Sequence, residues 1–202
     1  METDTYRTIE SKSEGIFKAK GSKFLAFAYY VENEEDIKSI IADLKKRYHD
    51  ARHHCYAYRI YPEYPVYRTN DDGEPSGTAG KPIYGQILSS SLTNVLIIVV
   101  RYFGGTLLGT SGLINAYRSA ARGCIEKARI IERIIEDTVI LQFDYEKLNV
   151  VMRIIKEENI HIIQQQCEME CTIRINIRKS KLEKVLSRLV NVDNLKYELV
   201  NL

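Results

Sequence analysis

The sequence predicts an α+β protein of two domains, the second of which is ferredoxin-like. Its 202 residues suit either one large domain or two small ones. Neither glycine nor proline occurs after Gly123, so this part of the chain is expected to be regular structure with short polar turns. From Glu132 onward, hydrophobic periodicity gives the order β-α-β-β-α-β, which is the ferredoxin-like unit. We therefore predict domains at residues 1–131 and 132–202.

The C-terminal domain is predicted from strands with alternating apolar residues and from helices with apolar residues at helical spacing. Asp144 is expected to cap the first helix. Ser180 and Glu183 form a capping box for the second helix. The strands are expected at Thr138–Phe143, Ile160–Gln166, Cys171–Arg178 and Leu195–Val200.

The N-terminal domain is predicted to contain a central strand, Asn94–Arg101, that is apolar on both faces. Asn33 is expected to cap a helix that ends near Arg47. The segment from Tyr61 to about Thr78 is predicted to be a loop, and loops of that length are usually functional or disordered. The other elements are strands at Tyr6–Glu10, Gly15–Lys20, Lys23–Val31 and Arg52–Ile60, and helices at Gly80–Ser91 and Leu113–Ile130.

Composition and charge exclude several classes of protein. The formal net charge of +2 gives no global field that demands nucleic acid, and no DNA specificity is predicted. The polar start of the sequence is not a signal peptide, and the longest aliphatic run, Val95–Val100, is too short to span a membrane. The spacing of the four cysteines matches no zinc site. We expect a cytoplasmic protein with reduced thiols, no membrane contact, no metal and no cofactor.

Eight of the eleven glycines lie between Asp71 and Gly112, and seven of these eight fall in two segments that run from loop into a predicted helix. We name them the first glycine loop (Asp71–Gly80) and the second glycine loop (Arg101–Gly112). Glycine lets the backbone approach a ligand, and helix starts favour anions. The loops could therefore form an anion cradle, or only tight turns packed on a sheet, and neither matches a P-loop or GxGxxG. The candidate anion- or nucleic-acid-binding residues are His54, Lys81, Arg101, Gly104, Gly105, Gly109 and Gly112.

Two smaller clusters leave alternatives open. Asp71, Asp72 and Glu74 could hold Mg²⁺ through oxygen ligands, or form a solvated turn, which we favour. His53 and Cys55 share a strand face and could form a metal site or a nucleophile, although packing is the simpler interpretation.

Tyrosines and arginines are concentrated between Tyr48 and Arg68. Aromatic rings beside guanidinium groups are typical of single-stranded nucleic acid binding, where they stack on bases and contact phosphates. A strand edge and a loop anchored by tyrosine hydroxyls would give the same pattern. Six tyrosines fall within twenty residues: Tyr48, Tyr56, Tyr58, Tyr61, Tyr64 and Tyr67.

The longer motifs resemble the IMPACT family, also called the YigZ family, over the whole chain. The first is Asp-Asp-Gly-Glu-Pro-Ser-Gly-Thr-Ala-Gly-Lys-Pro, residues 71–82, and an earlier motif includes His53-His54-Cys55. The later motif comprises Arg101-Tyr-Phe-Gly-Gly, Leu108-Gly109, Gly112-Leu113 and Ala116-Tyr117. Ser111 stands where the family usually has glycine, which would be costly if this position needs a positive φ. The signature of the first glycine loop is Asp71, Asp72, Gly73, Glu74, Pro75, Gly77 and Gly80.

The resemblance implies an N-terminal domain like domain 2 of ribosomal protein S5 and a C-terminal ferredoxin-like domain similar to domain V of elongation factor G. The eukaryotic relative is a translational regulator that acts by protein binding. The function implied is a translation-associated regulatory protein that binds RNA, a ribosome or a translation-factor partner without catalysis. The alternative is a phosphotransferase or hydrolase that binds phosphate or nucleotide with its glycine loops. An ion pair of Arg101 with Asp72 or Glu74 would indicate that the stretch is largely scaffold.

Overall fold

The computed structural model describes residues 4–200 as a mixed α/β protein with three β-sheets. It divides into two compact units. One is Tyr6–Arg133, and the other runs from Ile134 onward and includes Asp4 and Thr5. The strands are β1 (Thr5–Ile9), β2 (Ser13–Ala19), β3 (Ser22–Tyr30), β4 (His53–Ile60), β5 (Val66–Asn70), β6 (Val95–Tyr102), β7 (Ile130–Ile134), β8 (Glu136–Asp144), β9 (His161–Cys167), β10 (Glu170–Arg178) and β11 (Lys196–Val200). The helices are α1 (Glu34–Arg47), α2 (Gly80–Ser89), α3 (Gly109–Lys127), α4 (Leu148–Glu157) and α5 (Leu182–Leu189).

The first unit is built on a five-stranded antiparallel sheet in the order β2-β3-β6-β4-β5. The central position of β6 confirms the prediction from its unbroken apolar run. Helices α2 and α3 share one core with small strand residues such as Ala26 and Ala57, which let the helices approach the sheet closely. Helix α1 contributes Ile37 and Leu44 to a second core on the other face of the sheet.

Helix α1 begins as the sequence predicts. The Asn33 side-chain oxygen accepts a hydrogen bond of 2.8 Å from the backbone N–H of Asp36, which is the N-cap geometry. Acidic residues fill the first turn and basic residues the last, in agreement with the helix dipole.

The second unit has a four-stranded antiparallel sheet in the order β11-β8-β10-β9. Its elements follow the order β-α-β-β-α-β from β8 to β11. Alternate strand residues such as Leu141 and Ile175 form the core with Val151 of α4 and Val185 of α5. Within residues 4–200, no helix is both long and apolar enough to cross a membrane.

Several boundaries differ from the predictions. The segment predicted as one long loop contains β5, which pairs with β4 along the sheet edge. The sequence conceals this strand because its residues are mostly exposed and polar, without an apolar period. Helix α3 runs from Gly109 to Lys127 instead of from Leu113 to Ile130, and Ile130 is the first residue of β7.

The predicted caps of the C-terminal helices were wrong. Asp144 makes no capping hydrogen bond, and a 3₁₀ turn, Tyr145–Lys147, precedes α4. Ser180 lies inside a second 3₁₀ turn, Lys179–Lys181, before α5. Each helix is thus entered through a tighter turn, whose i to i+3 bonding takes up backbone groups that a cap would otherwise satisfy.

Candidate functional site

The first glycine loop wraps around the carboxylate of Asp71. One oxygen accepts hydrogen bonds from the backbone N–H groups of Ala79, at 3.0 Å, and Gly80, at 2.8 Å. The other accepts from the N–H of Gly77 at 2.8 Å. These groups lie at the start of α2, where a bound phosphate would be expected. The carboxylate of Asp71 therefore occupies the position at the start of α2 in which a bound anion would lie.

Glu74 connects the first glycine loop to the second. Its buried carboxylate accepts a hydrogen bond of 2.6 Å from the Arg101 guanidinium and one of 2.7 Å from the Tyr117 hydroxyl. Arg101 lies near the end of β6 and Tyr117 lies on α3, so one carboxylate joins the loop, the sheet and a helix. The two loops are held together by this buried contact.

The Arg101 side chain is enclosed by aromatic rings as well as by Glu74. Its guanidinium carbon lies 5.5 Å from the centre of the Phe24 ring and 5.7 Å from that of Phe103. Phe24 and His53 are its register neighbours on the two adjacent strands. Its Nε atom is buried without a hydrogen-bond partner in the described part of the chain. The Arg101 side chain is therefore part of the protein interior and is only 7% exposed.

Cys55 lies in the same interior network. Its thiol is 3.0 Å from the carbonyl oxygen of Asp71 and 3.3 Å from the Tyr117 hydroxyl. Burial raises the pKa values of both Cys55 and Tyr117, since desolvation disfavours their charged forms. A thiol held neutral in this way is a poor nucleophile, and the four cysteines are all free thiols.

His53 and His54 face opposite sides of β4, as their adjacent positions require. His53 donates from Nδ1 to the Asp72 carbonyl oxygen at 2.8 Å, and its Nε2 lies 4.0 Å from the Glu74 carboxylate. His54 donates from Nε2 to the Tyr48 carbonyl oxygen at 3.1 Å. Burial lowers the pKa of His54 and outweighs the opposing effect of Asp72.

Asp72 ties the loop to α1. Its carboxylate accepts from the backbone N–H of His54 at 2.7 Å and pairs with Lys45 at 3.1 Å. Burial acts to raise the pKa of Asp72, but these two contacts together with its charged neighbours outweigh burial, and the net shift is downward. Among residues 4–200, no group of three or more potential ligands is placed to hold a metal. The carboxylates of the loop are engaged with N–H donors and cations instead.

The second glycine loop is mostly exposed and is pressed against the β2–β3 turn at one residue. A Cβ atom on Gly104 would lie 1.9 Å from the carbonyl carbon of Gly21, so only glycine fits there. Gly105 and Gly109 have positive φ angles of 85° and 73°, with open space around them. Helix α3 starts at Gly109 without a side-chain cap.

Ser111 lies in the first turn of α3 and is not among the residues with positive φ. The expected conformational cost of serine at this position is therefore absent.

The family model for the Impact N-terminal domain matches residues 20–125, which include both glycine loops. The chain belongs to the IMPACT family. An IMPACT family member of Haemophilus influenzae is 30% identical over 182 residues, which cover 88% of each chain. The IMPACT family member YigZ of Escherichia coli is 27% identical over 178 residues, or 87% of each chain. A crystal structure of a hypothetical protein shares the fold, with a TM-score of 0.76, 24% identity and 98% coverage of each chain.

The IMPACT signature residues separate into interior and exposed sets. Glu74, Arg101, His54 and Gly80 are buried. Lys81, on the first turn of α2, is exposed. The remaining exposed or partly exposed residues of the predicted site are Asp71, Asp72, Gly73, Pro75, Gly77, Gly104, Gly105, Gly109 and Gly112.

Two members of the network were missed by sequence reasoning about the IMPACT site. Tyr117 was named only as part of the family motif on the helix and was not assigned to the site, although a buried hydroxyl needs a partner and could have indicated Glu74. Lys45 was not among the candidate residues, and no local signal connects it with Asp72.

The IMPACT signature residues do not line the cavity found near the ends of α2 and α3. That cavity has a volume of about 290 Å³. It is lined by Gln86, Ser89, Ser90, Arg122, Ile125 and Glu126.

Proposed function

We propose that this chain is a cytoplasmic, translation-associated regulatory protein that binds RNA, a ribosome or a translation-factor partner without catalysis. The observation that carries the proposal is the ion pair of Glu74 with Arg101. In this pair, two of the charged groups that catalysis or phosphate binding would need are bound to each other inside the fold. Membership of the IMPACT family supplies the connection with translation.

The engagement of the other carboxylates supports the same proposal. Asp71 fills the start of α2, and Asp72 is paired with Lys45. The groups exposed to solvent at the two glycine loops include Lys81 and the backbone of the second glycine loop. The side chains of Phe103 and Leu107 are also exposed. An exposed cation and exposed apolar side chains on the same unit suit a binding surface for a macromolecule.

The finer fold assignment is part of the proposal. The sheet order β11-β8-β10-β9, with α4 and α5 sharing one core, supports a ferredoxin-like C-terminal domain resembling domain V of elongation factor G. The first unit, with its α2–α3 face and its separate α1 face, is proposed to resemble domain 2 of ribosomal protein S5. Both assignments agree with a role in translation, although fold alone does not determine function.

The alternative of a phosphotransferase or hydrolase is less favoured. It needs phosphate at the first glycine loop, where Asp71 already accepts three backbone hydrogen bonds. Placing a phosphate beside this carboxylate would bring like charges together. A panel of nucleotides with Mg²⁺ should therefore leave the melting temperature unchanged, whereas an enzyme of this kind would be stabilised by its ligand.

The direct test is filter binding of the purified chain to ribosomal subunits and to total RNA at about 50 and 200 mM salt, with co-sedimentation against translation factors. We expect binding that weakens with salt, since phosphate contacts release counterions. Lys81→Gln should weaken it, and Lys38→Gln, which removes the same charge from an exposed position on α1, should not. Absence of binding to all three kinds of partner would overturn the proposal.

A further inference from the structure

Two tyrosine rings are stacked at the edge of the five-stranded sheet, away from the interior network. Tyr67 on β5 and Tyr84 on α2 lie with ring centres 4.6 Å apart and an angle of 15° between their planes. Strand β5 is the last strand of its sheet. Tyr67 remains 60% exposed, so the ring is supported on one face by Tyr84 while much of it stays in solvent.

Basic side chains surround this pair. Arg59 is the register partner of Tyr67 on β4. Burial raises the pKa of Tyr84, and the nearby charge of Arg59 acts in the opposite direction. Lys81 lies three residues before Tyr84 on α2, hence on the same side of that helix. Within residues 4–200, neither cation belongs to an identified ion pair, in contrast with Arg101 and Lys45. Their charges are therefore free to meet an external anion.

The combination has a specific physical use. A supported, exposed ring offers a flat apolar face at little entropic cost, because stacking on Tyr84 already limits its rotation. Bases of single strands stack on such rings, and nearby cations contact the phosphates. A protein partner would instead use the open β5 edge through backbone hydrogen bonds, and it would not need unpaired cations beside the ring. The charge complementarity favours a polyanion.

We propose that Tyr67, supported by Tyr84 and flanked by Arg59 and Lys81, is a base-stacking site for single-stranded RNA. The inference rests on the proposed function and selects RNA among its partner classes. It places the contact at the edge of the sheet instead of at the buried pair of Glu74 and Arg101.

The absence of tryptophan from the sequence allows a direct optical test. Tyr67→Trp keeps a stacking ring and places the single indole of the protein at the site. Titration with oligouridylate and oligoadenylate should quench its fluorescence, because a base stacks on it. Tyr197→Trp is the matched control, since Tyr197 is 43% exposed in β11 of the four-stranded sheet, and its fluorescence should not change.

Affinity measurements complete the test. Tyr67→Ala should weaken binding of the same oligonucleotides by roughly 10- to 100-fold, while Tyr67→Trp retains it. Arg59→Gln should reduce the slope of log affinity against log salt by about one. Melting temperatures of all variants are compared with that of wild type to confirm that each variant is folded. Tyr67→Leu keeps an apolar side chain but cannot stack on a base, so its affinity should resemble that of Tyr67→Ala.

The outcomes separate this inference from the proposed function. If RNA binds the wild type but Tyr67→Ala binds equally well, or the indole of the Tyr67→Trp variant is not quenched, the site is wrong and the function stands. If the chain binds only translation-factor proteins, the RNA site is overturned while the broader function is retained. If neither RNA, ribosome nor factor binds, both fail.

Discussion

The Glu74 carboxylate and the Arg101 guanidinium form a buried ion pair of 2.6 Å that joins the two glycine loops. Their side chains are 3% and 7% exposed, so neither charge is screened by water. A buried pair stabilises little relative to apolar residues of the same shape, but loss of one partner leaves the other charge buried and uncompensated. Because of this asymmetry, replacing one partner of the pair tests whether the two glycine loops mainly stabilise the fold.

Arg101→Met is expected to lower the free energy of unfolding by about 3–5 kcal/mol, because Glu74 would remain buried without its cation. Glu74→Gln is also expected to destabilise the chain, because the Arg101 cation would stay buried without a counter-charge, but by less, since the amide oxygen still accepts hydrogen bonds from Arg101 and Tyr117. Chemical denaturation with urea measures both changes. The matched control is Arg122→Met, which removes an exposed pair with Glu126 on α3 and should change stability by less than about 1 kcal/mol. Equal effects at both positions would contradict the structure.

Asp71→Ala is expected to destabilise the chain by more than an ordinary helix cap, which is worth about 0.5–2 kcal/mol, because three backbone N–H groups lose their acceptor. Added phosphate or sulfate should partly restore the melting temperature of this variant by filling the vacated position. Wild type should show no matching rise, since its own carboxylate is in place. An equal rise in both proteins would argue against this role of Asp71.

The sequence identifies the parts of the fold whose patterns are local. The apolar run of β6 and the Asn33 cap were confirmed because neighbouring residues determine them. Strand β5 was missed because its residues carry no apolar alternation and its pairing with β4 is a tertiary contact. The two C-terminal caps failed because 3₁₀ turns compete for the same sequence signals.

The positions of the two glycine loops were predictable from the sequence, but the arrangement of their side chains was not. The family motif located the two glycine loops, yet nothing in the sequence chooses Glu74 over Asp72 as the partner of Arg101. That choice depends on how the loop crosses the end of β6 and meets Tyr117 on α3. The sequence also could not show that Gly104 is closely packed whereas its neighbour Gly105 has open space around it.

Gly104→Ala is expected to be strongly destabilising, because its Cβ would overlap the backbone of Gly21 and Ser22 at 1.9 and 2.1 Å. Gly123→Ala should instead stabilise the chain by up to about 1 kcal/mol, since Gly123 lies within α3 and the new Cβ would meet nothing within 4 Å beyond the adjacent backbone of its own helix. Thermal unfolding of the two variants beside wild type measures both. A mild effect at Gly104 would show that the second glycine loop can move off the β2–β3 turn.

His54 is expected to make stability depend on pH. Burial lowers the pKa of this side chain below its ordinary value of 6.5, so the unfolded chain binds a proton more readily than the folded chain. The contribution of His54 is therefore complete above about pH 6.5 and is lost as pH falls toward its folded pKa. The bond from its Nε2–H to the Tyr48 carbonyl oxygen is compatible with the neutral ring.

The measurement is the free energy of unfolding of wild type and His54→Gln between about pH 8 and pH 5, a range that spans the ordinary histidine pKa. Wild type should lose stability across this range, and the variant should lose less, since glutamine does not titrate. His161→Gln is the control, because it replaces an exposed histidine at the start of β9 and should not reproduce the effect of His54→Gln. If wild type and His54→Gln lose stability in parallel, the ring is not held neutral by burial, and the packing of β4 against the Tyr48 segment is looser than described.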